Sequence, residues 1–154
     1  MPNLGLANNI TSKIENRQLF VLSNIEEAYF NGGTESFLTT DASLLSASKR
    51  LTVIAGATNG HAYKQYAVTP GVTYDVSYKW IQVGGGSQSA GVFKLGKTLG
   101  ATEYGEGEFA SGASTATTTF TFLPDSATLF LVLQTNTNGK RTFWDTIVIT
   151  EKVD

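Results

Sequence analysis

The sequence predicts an all-β chain, a sandwich or barrel of antiparallel strands. Strand-like runs recur roughly every eight to fifteen residues, with turn signals between them. The clearest run, residues 72–83, alternates apolar and polar side chains strictly, as a strand with one buried face requires. Only three prolines occur against sixteen glycines, and charged residues are 16% of the chain, so Ser, Thr, Gly, Asn and Gln must make the surface.

The elements follow in order. Residues 1–16 are polar and aperiodic, and read as an arm that a partner must hold. Leu4, Leu6, Ile10 and Ile14 are its apolar residues, hence its contact residues in assembly. Residues 17–154 form the domain. Leu19-Phe20-Val21-Leu22 reads as a strand and Glu26-Glu27-Ala28-Tyr29 as a short helical turn. Leu51-Thr52-Val53-Ile54 and Ala62 to Val68 are strands, and Pro70-Gly71 is a turn. In the strand from Val72 to Val83, residues Val72, Tyr74, Val76, Tyr78 and Trp80 share the core face. Gly84-Gly85-Gly86 ends it, and Gly91 to Leu95 is the next strand. Residues 96–117, rich in Gly, Ser, Thr and Ala, read as a loop. Thr118 to Phe122 is a strand, and Leu129 to Gln134, apolar on both faces, a central one. Asn136-Thr137-Asn138-Gly139 is a turn that can hold a positive φ, and Thr142 to Thr150 is the last strand.

Bulk properties exclude several functions. A chain of 154 residues buries a core of its own. With a net charge of −2 and no basic stripe, neither a nucleic-acid footprint nor a polybasic membrane patch is expected. No cysteine is present, which excludes disulfides and thiolate chemistry. The start, Met1 to Asn9, lacks the charged and apolar regions of a signal peptide, and no run is long enough to span a membrane as a helix. The expectation is a complete small gene product made in a host cytoplasm.

Three segments carry a resemblance. Asn31-Gly32-Gly33-Thr34-Glu35-Ser36 resembles the early turn of the carbohydrate-binding-module jelly rolls of the galactose-binding-like superfamily. Gln65, with Val68-Thr69-Pro70-Gly71-Val72-Thr73-Tyr74, resembles their middle strand and turn. Thr118 to Phe122, Leu129 to Leu133 and Phe143-Trp144-Asp145-Thr146-Ile147-Val148-Ile149 resemble their closing strands. The resemblance spans residues 30–150. It implies a two-sheet antiparallel β-sandwich, a jelly roll, with the N-terminal arm outside it. Proteins of this kind occur as sugar-binding modules on glycosidases and as stand-alone proteins on tailed-phage virions. The resemblance also places Glu35 and Asp145 where the family commonly holds a structural calcium. No cofactor is otherwise required. Thr34 stands where the family usually has an aromatic residue, and the usual tryptophan after that turn is missing.

Catalysis is not expected. His61 is the single histidine, and no serine sits in a nucleophile elbow. Glu103, Glu106 and Glu108 lie in a glycine-rich stretch read as a solvated loop, not beside the apolar groups that raise a catalytic carboxyl. For sugar recognition, Trp80 is in register with the core face. Trp144, out of phase with Phe143, Ile147 and Ile149, and Tyr104 are the aromatic candidates, with Asn136, Asn138 and Gln88 as polar partners.

The functional expectation is a non-enzymatic virion surface protein, a phage capsid decoration or cement protein. It would dock on the major capsid protein, as a trimer, through protein contacts and the arm. The alternative is a carbohydrate-binding module or receptor-binding adhesin, with glycans as partners.

Overall fold

The computed structural model describes residues 18–22, 37–47 and 50–152, and the side chains of 37–45 and 50–152. The arm residues Leu4, Leu6, Ile10 and Ile14, the 26–29 turn and Glu35 lie outside the described residues. The strands are β1 (Gln18–Leu22), β2 (Leu38–Thr40), β3 (Ala42–Ala47), β4 (Arg50–Ala55), β5 (Gly60–Ala67), β6 (Tyr74–Trp80), β7 (Gly91–Gly96), β8 (Gly105–Phe109), β9 (Ala116–Phe122), β10 (Thr128–Thr135) and β11 (Arg141–Glu151).

They form two antiparallel sheets. The back sheet runs β3-β4-β11-β6-β9, with β1 pairing the later half of β11. The front sheet runs β2-β5-β10-β7-β8. The chain is therefore an all-β, two-sheet jelly roll, and the alternation of its strands explains the sandwich. Tyr74, Val76, Tyr78 and Trp80 of β6 point inward, as do Leu129, Leu131 and Leu133 of β10 and Phe93 and Leu95 of β7. The core they make is aromatic at its centre. Tyr78 stacks on Phe93 at 3.9 Å, Trp80 stacks on Phe109 at 4.9 Å and meets Trp144 edge-on at 5.3 Å.

Two expectations change. The 96–117 loop contains the strand β8, whose Gly105 and Gly107 face the core and whose Glu106 and Glu108 face out. A Cβ on Gly105 would sit 2.5 Å from the Phe120 ring, and one on Gly107 would overlap the Tyr78 hydroxyl. The glycines are there because large rings from the back sheet fill the space a side chain needs. A glycine-rich sequence thus hid a paired strand. The strand expected over 72–83 spans Tyr74–Trp80, with a last backbone bond from Ile81 N to Phe143 O of β11 at 3.0 Å. Beyond it, the Gln82 amide bonds the Thr115 hydroxyl and the Val83 amide bonds Gln88, so the chain leaves the sheet.

Candidate functional site

Recognition of a sugar needs rings that solvent can reach and polar groups beside them. Trp144 does not offer one. It is fully buried, with its Nε1 donating to Thr142 Oγ1 at 3.0 Å. The cause is a bulge. Trp144 pairs Trp80 and Asp145 pairs Lys79, but Ile147 pairs Tyr78, so Thr146 is an extra residue. Its φ of 43° marks the kink. The bulge shifts the parity of β11, so Trp144 and Ile147 both face inward although three residues apart. The strict alternation used to place Trp144 outside fails at that point.

Tyr104 is also buried. It stacks on Phe122 at 5.2 Å, and its hydroxyl donates to Asp125 Oδ1 at 2.8 Å. Burial and that bond push its phenol up. Asp125 is held below the usual carboxylate range, first by the Lys97 hydrogen bond and then by that of Tyr104. These three groups pin the loops at one end of the sandwich. Gln88 is buried too: its amide accepts from Val83 N and donates to Ile81 O, fixing the 81–89 turn. Asn138 is exposed in the turn whose Gly139 has the expected positive φ, 72°.

Asp145 lies on the outer face of the back sheet, 3.6 Å from the Lys79 ammonium, and accepts from the Thr146 hydroxyl at 2.9 Å. The described residues thus bring one carboxylate here, already matched by a lysine. Among them no cluster of three metal-ligating side chains forms. They do not by themselves make a calcium site.

The outer face of the front sheet is different. Because Ala62, Leu131 and Leu133 face the core, the opposite parity of β5 and β10 faces away from it. That parity carries His61, Tyr63 and Gln65 on β5 and Phe130, Val132 and Gln134 on β10, with Val132 itself buried among its neighbours. Tyr63 and Phe130 are half-buried, which leaves part of each ring open. Tyr63 opposes Val132, and Phe130 opposes Gln65, so the two rings are diagonal neighbours, with a spacing of roughly 7–8 Å for such pairs. Leu38 on the β2 edge pairs Tyr63 and is 60% exposed. The other side carries charge: Lys94 opposes Glu106, and Glu108 stands exposed opposite the buried Val92. Gln134 Nε2 donates to Asn136 Oδ1 at 2.8 Å and to Asn59 Oδ1 at 3.3 Å, so Asn136 joins the rim of this face. His61 Nδ1 donates to Asn59 O at 3.1 Å at the same end.

The face is therefore a strip of open rings and aliphatic surface, bordered by amides, a lysine and two carboxylates. Of the expected sugar-contact residues, only Asn136 lies on it. Tyr63 and Phe130 were missed. Their signal was available: a large ring at the outward parity of each strand. In β10 it was absorbed by reading the apolar second face as one more buried surface.

No protein-family model and no curated protein matches the sequence. Solved structures do match the fold. The CBM22-1 xylan-binding domain of Paenibacillus barcinonensis Xyn10C aligns with a TM-score of 0.60 and 14% identity, over 90% of this chain and 97% of that one. The carbohydrate-binding module CBM6cm-2 of Cellvibrio mixtus lichenase 5A, in complex with cellotriose, aligns with a TM-score of 0.53 and 11% identity, over 88% and 99%. A CBM4 structure aligns with a TM-score of 0.54 and 14% identity, over 86% of each chain. At these identities the likeness is one of fold: the chain shares the jelly-roll fold of these carbohydrate-binding modules.

Proposed function

We propose that this protein is a non-catalytic carbohydrate-binding module that holds a glycan chain along the outer face of its front sheet. The observation that carries the reading is the diagonal placement of Tyr63 and Phe130 on that face, flanked by Gln65, Gln134, Lys94 and Glu106. A pyranose has an apolar face of C–H groups and a rim of hydroxyls. Open rings take the first, and amides and carboxylates at the sides take the second. The xylan-binding and cellotriose-bound relatives of this fold support the reading, and make xylan- and cellulose-type chains the first ligands to try.

The expectation of a capsid-decorating trimer had its clamp in residues 1–16, outside the described residues, and the fold relatives favour the glycan reading over it. The test is affinity for cello- and xylo-oligosaccharides in the native protein and in Tyr63→Ala and Phe130→Ala. Each variant is expected to lose about tenfold or more in affinity while staying folded, with a modest fall in unfolding temperature from the truncated, partly buried ring. Equal affinity in all three proteins would remove the site from this face. Release of sugar from the same oligosaccharides, abolished in Glu106→Gln or Glu108→Gln, would instead make the protein an enzyme.

A further inference from the structure

The outer face of the back sheet carries a second feature, on the far side of the molecule from the rings described above. A hollow of about 270 Å³ lies over β3, β4 and β11, walled on one side by Val83 and Ser87 of the turn after β6. Its floor is the Thr52–Phe143 pair, which face each other across β4 and β11. Arg141 opposes Ile54, and Arg50 lies four residues back along β4, so the two arginines stand at opposite ends of that floor, roughly 13 Å apart along the strands. The Arg50 guanidinium lies over the Phe143 ring, 5.7 Å from its centroid, close enough for a cation–π contact.

Neither guanidinium has an ion pair among the described residues, where the salt bridges are Lys79–Asp145 and Lys97–Asp125. Lys140, immediately before β11, adds a third cation nearby, with its ammonium on the Gly86 carbonyl of the turn after β6. In a chain of net charge −2, this hollow gathers positive charge. The wall is also preorganised. Arg141 N donates to Ser87 O at 3.0 Å, Ser89 N donates to Arg141 O at 2.9 Å, and the buried Gln88 braces the turn from within. Ligand binding here need not order the loop first.

We infer that this hollow is a second binding site, selective for an acidic sugar, with the Arg50 and Arg141 forks taking the carboxylates of an oligouronide. Over a floor that Thr52 and Phe143 close, the hollow supplies what a bare anion would not use: the exposed Leu45 side chain for the apolar face of a sugar, and the exposed Ser87 hydroxyl for its hydroxyls. A bidentate guanidinium–carboxylate pair is the strong form of such a bond, and two forks at opposite ends match a ligand with a charge on separate residues. Because arginine stays charged, the site is expected to weaken with salt and as the ligand carboxylate is protonated.

The experiment is calorimetric titration of the full chain with trigalacturonate, with neutral cellotriose, and with inorganic sulfate and phosphate. It is repeated in Arg50→Gln, Arg141→Gln and Tyr63→Ala. Both arginines are on the surface, so the fold is expected to survive, and thermal unfolding checks it. Trigalacturonate is expected to bind, to lose roughly tenfold in affinity in each arginine variant, and to bind Tyr63→Ala as well as the native protein. No binding of trigalacturonate, or binding that survives both arginine changes, would overturn the inference. So would equal affinity for sulfate or phosphate, which would mark a simple anion patch. Loss in Tyr63→Ala alone would assign the acidic sugar to the front face and also overturn it. Failure of cellotriose to bind bears on the front face and leaves this site untouched.

Discussion

Trp144 shows how one residue decides the reading of a site. Its indole N–H donates to Thr142 Oγ1, Thr142 and Thr135 share a 2.8 Å hydroxyl bond, and Thr135 Oγ1 donates to Val53 O at 2.9 Å. Since the Thr135 proton goes to Val53, Thr142 supplies the proton between the two hydroxyls. The chain is buried and fully satisfied, which is what lets polar atoms cross this core. Trp144→Ala is expected to cost about 3–5 kcal/mol in chemical denaturation, the loss of a large buried ring. Thr142→Val, which keeps the shape and orphans the indole N–H, is expected to cost about 1–3 kcal/mol. With both tryptophans buried, sugar binding is expected to leave tryptophan emission nearly unchanged; strong quenching by a bound glycan would contradict the placement of Trp144. At Asp125, the folded carboxyl is held low by Lys97 and Tyr104. Its contribution is therefore present above the unfolded pKa and is lost as pH falls through the lower folded value. The group is exposed, so the effect is small. Asp125→Asn is expected to lower stability slightly at neutral pH and to flatten the acid limb of a stability–pH curve.

At the scale of the element, the strands legible in the sequence were those with clean alternation or unbroken apolar runs, β1, β4 to β7 and β9 to β11. β6 was clearest because its four inward residues are large and its outward ones polar. β8 was hidden because its inward positions are glycines under Tyr78 and Phe120, so the apolar half of its alternation belongs to the other sheet. β2 and β3 were missed because Leu38 and Leu45 are exposed and alternation gives no signal on strands at the sheet edges. The bulge in β11 is invisible in composition, and it alone moved Trp144 from the surface to the core. Gly107→Ala tests this account of β8. It is expected to destabilise the fold by about 1–3 kcal/mol through overpacking against Tyr78. Tyr78→Phe in the Gly107→Ala background, which removes the hydroxyl in the way, is expected to recover part of that loss. No destabilisation in the single variant would mean that β8 does not lie under Tyr78.

Across the whole molecule, the two sheets present different outer faces. The front face carries open rings with amides and both signs of charge, and the back face carries hydroxyls and two arginines without carboxylate partners among the described residues. Fold and core were legible because alternation over many strands averages out local exceptions. The site was not, since a handful of outward side chains on neighbouring strands becomes a site only once register sets them side by side. The two faces are expected to differ in ionic behaviour: neutral-sugar binding on the front should change little with salt. The central claim is that the front face holds the glycan, and backbone amide shifts during titration with cello- and xylo-oligosaccharides test it most directly. The predicted result is saturable movement confined to the outward positions of β5, β10 and β7 around Tyr63, Gln65, Phe130, Gln134 and Lys94. A folded protein whose amides do not move with any glycan, or move only on the back sheet, would contradict it.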